Sequence, residues 1–122
     1  MTITPINVYG IPACDTVKQA RAWLLARGID HRFHDFKKHG VPEPELDEWL
    51  GAVGWEQLLN TRGSTWRKLS DSAKAAVVDA ANARALMRTQ ASVIKRPVVR
   101  WADGALTVGF NEAVWLTHIC LS

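Results

Sequence analysis

Ile6-Asn7-Val8-Tyr9-Gly10-Ile11-Pro12-Ala13-Cys14-Asp15-Thr16-Val17 is the stretch on which the reading of the fold turns. Ile6, Val8 and Tyr9 predict a strand over residues 3–9 that stops at Gly10, and Gly10-Ile11-Pro12-Ala13 predicts a loop that delivers Cys14. Over residues 15–27, Val17, Ala20 and Leu24 recur at i, i+3 and i+7, with Asp15 and Thr16 at the start and Gly28 just past the end. That pattern predicts a helix that buries one face and is closed by a glycine. Phe33 and the flanking Ile29 predict a second strand over residues 31–36. A strand, a helix and a strand in this order form a parallel pair with a right-handed crossover.

Working outward, the middle of the chain reads as helical. Residues 44–53 begin with acidic side chains and end at Gly54, residues 55–59 add another turn or two, and residues 70–90 are rich in Ala, Leu and Met. A loop over residues 60–64 separates them. Residues 98–101, the turn Asp103-Gly104 and residues 105–110 predict a β-hairpin, after which Asn111 caps a final helix running to the C-terminus. The order β-α-β, helical insertion, β-β-α is the plan of an α/β thioredoxin-like fold. At 122 residues, with neither a repeat nor a low-complexity linker, the expectation is a single domain over residues 1–122.

Composition narrows the function classes. Hydrophobic residues make up 48% and charged residues 22%, enough to build a packed core and to exclude wholesale disorder. The formal net charge of +3 is too small to point to nucleic acid or a membrane. No stretch approaches the ~20 apolar residues of a membrane span, and the N-terminus lacks the basic and apolar blocks of a signal peptide. The expected location is the cytoplasm. The run Arg67, Lys68, Lys95 and Arg100 has no interleaved aromatics or recognition motif and reads as a solvated face. The six tryptophans read as packing residues, and His31, His34, His39 and His118 have no metal-ligand spacing.

The two cysteines, Cys14 and Cys120, form no CxxC pair. Cys14 stands between a strand and a helix start, where free backbone N–H groups and the positive end of the helix dipole favour an anion. A thiolate is such an anion, and these surroundings lower a thiol pKa from its ordinary ~8.5. Cys14 is therefore the expected nucleophile, although the carboxylate of Asp15 would repel a thiolate unless it turns away. Cys120 shares a helical face with Leu116 and reads as a packed thiol. Arg62, in the loop Asn60-Thr61-Arg62-Gly63, and Arg96, just before Pro97, are the candidate anion binders, because the planar guanidinium fork grips carboxylates and oxyanions in pairs of hydrogen bonds. For each, a solvated surface charge is the competing reading. For Pro97 itself the sequence leaves cis and trans open.

Tyr9-Gly10-Ile11-Pro12-Ala13-Cys14-Asp15-Thr16, Leu59-Asn60-Thr61-Arg62-Gly63, Ile94-Lys95-Arg96-Pro97-Val98 and Val108-Gly109-Phe110-Asn111-Glu112 together resemble the ArsC/Spx family in order and over nearly the whole chain. Phe33-His34-Asp35, Trp55-Glu56 and Thr65-Trp66-Arg67-Lys68-Leu69 look most like its YffB branch, regarded as glutathione-dependent thiol reductases. The resemblance implies that Cys14 is the nucleophile, that Arg62 and Arg96 match two arginines holding the oxyanion in arsenate reductases, and that Pro97 matches the cis-proline of the fold. Arsenate reductases carry a histidine four residues before the cysteine and a third arginine late in the hairpin region; here Gly10 and Gly109 stand there. Spx regulators use CxxC, but the third residue after Cys14 is Val17.

The expectation is a thiol reductase working through Cys14 and a mixed disulfide, with glutathione as co-substrate and neither a metal nor a permanently bound cofactor. Thr16 and the helix start would steady the thiolate, while Arg62, Arg96 and Pro97 would contact a small thiol or anionic substrate. An arsenate reductase-like enzyme and a Spx-like, non-enzymatic regulator that binds RNA polymerase are the alternatives.

Overall fold

The computed structural model describes residues 6–119. The chain forms two compact units, one built from the segment ending at Asp35 together with the segment from Arg96 onward, the other from Phe36–Lys95.

The first unit is an α/β thioredoxin-like fold. Its strands β1 (Ile6–Gly10), β2 (His31–Asp35), β3 (Val98–Arg100) and β4 (Leu106–Val108) lie in the order β2-β1-β3-β4. β1 and β2 are parallel, with Ile6 opposite His31 and Gly10 opposite Asp35, whereas β1–β3 and β3–β4 are antiparallel. The expected first strand thus starts at Ile6 among the described residues, and its residues 3–5 lie outside them. Alternation decides the faces: Ile6 and Val8 point into a core with Val99, Trp101, Trp115 and the α1 residues Ala20, Trp23 and Leu24.

Helix α1 (Asp15–Ala26) follows its apolar spacing and buries Val17, Ala20, Trp23 and Leu24. It closes where expected, with Gly28 at φ +69° and the Gly28 and Ile29 N–H groups donating to the Leu25 and Leu24 carbonyls, each at 3.0 Å. At the other end of the unit, Asn111 caps the last helix as its side chain accepts from Val114 N–H at 3.1 Å. Cys120, with the packed role expected for it, lies outside the described residues.

The helical unit shows where sequence periodicity misleads. It runs through α2 (Phe36–His39), α3 (Glu43–Val53), α4 (Trp55–Leu58), α5 (Ser64–Arg67), α6 (Asp71–Ala75), α7 (Ala80–Thr89) and a 3-10 turn, Ala91–Val93. Phe36, expected to end β2, instead opens α2, and Ser64, expected in a loop, opens α5. The single helix expected over residues 70–90 is two. Ser70 caps α6 by accepting from Ala73 N–H at 3.1 Å, and Asp79 caps α7 by accepting from Asn82 N–H at 2.9 Å. An Asp side chain offers the backbone a partner that an uninterrupted helix would deny it, and Val77-Val78 just before it is stiff and β-branched. Leu46, Trp49, Leu58, Ala83, Met87, Val93 and Ile94 are buried in this unit. Arg84 ties α7 to α3 through Asp47 at 2.6 Å and Glu43 at 3.2 Å.

One ion pair anchors the last helix, α8 (Glu112–Ile119), in the first unit. His118 Nδ1 lies 2.9 Å from Asp103 Oδ2 in the hairpin turn, and its ring stacks on Trp101 at 5.4 Å. Hydrogen bonding by His118, with help from the Ala105 N–H, holds the Asp103 carboxyl below the ordinary carboxylate range. A depressed carboxylate adds stability above its unfolded pKa and loses that contribution as pH falls through its folded one. Thermal midpoints of the native protein and Asp103→Asn should therefore differ near neutral pH and converge in strong acid; a gap that does not narrow as the pH falls from the ordinary carboxylate range through the depressed folded pKa would rule this out.

Candidate active site

Cys14 is delivered by a tight turn. Its N–H donates to the Ile11 carbonyl at 3.0 Å, its backbone is extended (φ −73°, ψ 125°), and its carbonyl accepts from Lys18 N–H at 2.9 Å as the N-cap of α1. The cap residue brings no side-chain oxygen, so the first N–H groups of the helix need another acceptor. The Cys14 side chain makes no cap hydrogen bond to them, so they stand as favourable dipoles beside the sulfur. Burial alone would raise the thiol pKa, but the Val17 N–H, the Arg96 guanidinium with its charge and the Thr16 N–H hold it below its ordinary value. Cys14 remains partly accessible, as a thiol that meets a substrate must be.

Of the residues expected in the site, Cys14, Thr16, Arg96 and Pro97 belong to one unit. Arg96 reaches the sulfur from the segment entering β3, and the Arg96–Pro97 peptide is cis. Pro97 is buried, and its carbonyl accepts from Gly109 N–H at 2.9 Å. The Thr16 N–H adds to the lowering of the Cys14 pKa.

Arg62 belongs to the helical unit. There a β-bridge between Leu59 and Ile94, with Asn60 N–H donating to the Val93 carbonyl and Lys95 N–H to the Leu58 carbonyl, both at 2.7 Å, holds two segments side by side. They frame a cleft of about 300 Å³ lined by Leu59, Asn60, Thr61, Arg62 and Lys95. Asn60 Oδ1 accepts from Arg62 N–H at 3.1 Å and shapes the turn. Lys95, expected on a solvated face, is exposed and shares this cleft with Arg62.

The two glycines at the arsenate-reductase positions each have a local reason. A Cβ on Gly10 would lie 2.9 Å from Val17 Cγ2, closer than real contacts allow. Gly109 has φ +84°, a conformation that costs an L side chain about 1–2 kcal/mol. Among the described residues, no group of three or more His, Cys, Asp or Glu side chains could hold a metal ion, and no helix is long and apolar enough to cross a membrane.

Known proteins share this arrangement. The solved structure of a YffB protein is 40% identical and superposes with a TM-score of 0.88 over 94% of this chain and 99% of its own. An arsenate reductase (ArsC) related protein from Brucella melitensis is 48% identical, with a TM-score of 0.73 and 97% of each chain covered. The global transcriptional regulator Spx of Streptococcus pyogenes is 26% identical over 110 residues, covering 88% of this chain and 79% of that one. The ArsC family pattern itself matches residues 9–118, from the last residues of β1 to the last turn of α8, and the chain belongs to the ArsC family.

Proposed function

We propose that this protein is a glutathione-dependent thiol reductase acting in the cytoplasm through Cys14. The observation that carries the reading is the setting of Cys14 at the N-cap of α1, where the helix-start N–H groups and the Arg96 guanidinium hold its thiol pKa below the ordinary value. A thiol held below its ordinary pKa is nucleophilic near neutral pH.

In the first step the Cys14 thiolate attacks the glutathionyl sulfur of a mixed disulfide. The S–S bond of the substrate breaks, a Cys14–glutathione disulfide forms, and the substrate leaves as a thiolate. In the second, the thiolate of a free glutathione attacks the glutathionyl sulfur on Cys14, releasing oxidised glutathione and restoring the Cys14 thiolate. The proton lost by that glutathione is taken up by the departing substrate thiolate. The CxxC position holds Val17, so an external thiol closes the cycle. Arg96 stabilises the thiolate both as attacking group and as leaving group, and Thr16 does so through its N–H. Pro97 offers its segment to the peptide backbone of the substrate, and Arg62 with Lys95 forms a cationic cleft suited to a carboxylate.

Arsenate asks for more. Its charge is spread over several oxygens that must be surrounded while sulfur attacks. The crowding at Gly10 and the backbone at Gly109 argue against side chains at those two positions. A regulatory role that binds RNA polymerase without turnover is the second reading, favoured by the similarity to Spx.

Steady-state reduction of a glutathionylated thiol and of arsenate, with glutathione as electron source and Cys14→Ser as the blank, separates the three. The expected result is Cys14-dependent turnover of the thiol substrate and little of arsenate. Comparable arsenate turnover would overturn the assignment, and no Cys14-dependent turnover of either substrate would favour the regulator.

A further inference from the structure

Gly10 is an unexpected residue for its place. It lies at the end of β1, in register with Asp35 of β2, and glycine weakens a strand unless something approaches closely. Its φ is not positive, so no backbone conformation demands glycine. What demands it is space. A Cβ built there would lie 2.9 Å from Val17 Cγ2, 3.6 Å from Val17 Cγ1 and 3.8 Å from Phe33 Cε1.

Val17 is the third residue of the helix that Cys14 caps, its N–H is among the groups that lower the Cys14 pKa, and its side chain is fully buried. We infer that Gly10 is a positioning residue for the nucleophile: its missing side chain leaves room for the Val17 side chain, so that the first turn of α1 is not pushed off β1 and the Thr16 and Val17 N–H groups stay beside Sγ. The inference rests on reading Cys14 as the reactive thiol and adds the device that holds it.

Two features make the coupling direct. Val17 is β-branched, so in a helix it has one strongly preferred rotamer and relieves a clash poorly by rotation. Gly10 is held by its pairing in the sheet, so it does not yield easily. A methyl group at position 10 therefore displaces the first turn of α1, and the N–H of the displaced residue is one of those that lower the thiol pKa. The contact is between β1 and α1, two elements adjacent in sequence and in one unit.

The test reads the thiol, not turnover. Rates of iodoacetamide alkylation are followed against pH, with peptide-level mass spectrometry separating Cys14 from Cys120, for the native protein, Gly10→Ala, Val17→Ala and the double variant. Gly10→Ala should raise the Cys14 pKa by about half a unit to one unit, since a weakened hydrogen bond to a thiolate shifts it upward. Alkylation near neutral pH should slow by roughly two- to threefold, because the smaller thiolate fraction is partly offset by its greater nucleophilicity. Val17→Ala keeps the N–H and should change the titration little. In the double variant, loss of the Val17 methyls makes room for the new Cβ, and the pKa should return toward native.

A folded Gly10→Ala protein with a native Cys14 titration would overturn the inference, as would a double variant that stays shifted. If Gly10→Ala does not fold, the double variant must fold and titrate like the native protein; failure of both also overturns it. The outcome is independent of the reductase assignment. A native protein with a low Cys14 pKa but no Cys14-dependent turnover would sink the assignment and leave the positioning role standing.

Discussion

Trp115→Ala should cost about 3–5 kcal/mol of stability, the range for truncating a large buried aromatic, and so remove much of the 5–15 kcal/mol that holds a typical domain folded. Trp115 is fully buried on α8 and meets three rings edge-on: Phe110 at 4.8 Å, Trp101 at 5.0 Å and Trp23 at 5.7 Å. These come from the residue entering α8, from the end of β3 and from α1, so one side chain joins the elements that cover this face of the sheet. Among the described residues its indole N–H has no hydrogen-bond acceptor, so truncation removes burial and packing without stranding a partner there. For the same reason Trp115→Phe, which keeps a ring and deletes the unpaired N–H, should cost far less. Urea unfolding checks both: a lower midpoint at unchanged slope reports lost stability. A Trp115→Ala loss below about 1 kcal/mol would contradict the account, because transfer of the ring alone is worth more than that.

The elements that make this core were legible in the sequence to different degrees. Val17, Ala20 and Leu24 announced the buried face of α1, and Gly28 its end, because both signals are local and follow from helix geometry. Asp103-Gly104 announced the hairpin for the same reason. Residues 70–90 misled because alanine favours helix throughout, and propensity does not register a break made by the Asp79 side chain competing for the backbone. The site divides in the same way. That Cys14 caps a helix could be read from its neighbours. That Arg96 comes beside Cys14 depends on β3 pairing with β1, a contact far along the chain, and the residues alone left a solvated surface charge equally open. The crowding of Gly10 by Val17 left no trace in the sequence, since a glycine in a strand does not say what approaches it.

Arg96 is where the site's chemistry and its electrostatics meet, and Arg96→Ala should lower kcat/KM for a glutathionylated substrate by roughly 10- to 100-fold, the equivalent of one charge-assisted hydrogen bond. The thiol should respond in a definite direction. Burial raises the Cys14 pKa and Val17, Arg96 and Thr16 lower it, so removing Arg96 leaves the burial effect less opposed. The pKa should rise, though modestly, because the partly exposed sulfur is screened by solvent. Since the thiolate is the reacting form, the pH profile of alkylation should move to higher pH by the same amount. Arg96→Lys separates charge from geometry: an ammonium group restores most of the pKa but lacks the planar fork that grips an anion, so alkylation should recover while kcat/KM does not. The fold should tolerate both changes, as Arg96 lies on the segment entering β3 and outside the buried apolar core. An Arg96→Ala protein that is folded, alkylates with the native pH profile and turns over normally would show that the guanidinium beside Cys14 takes no part in the reaction.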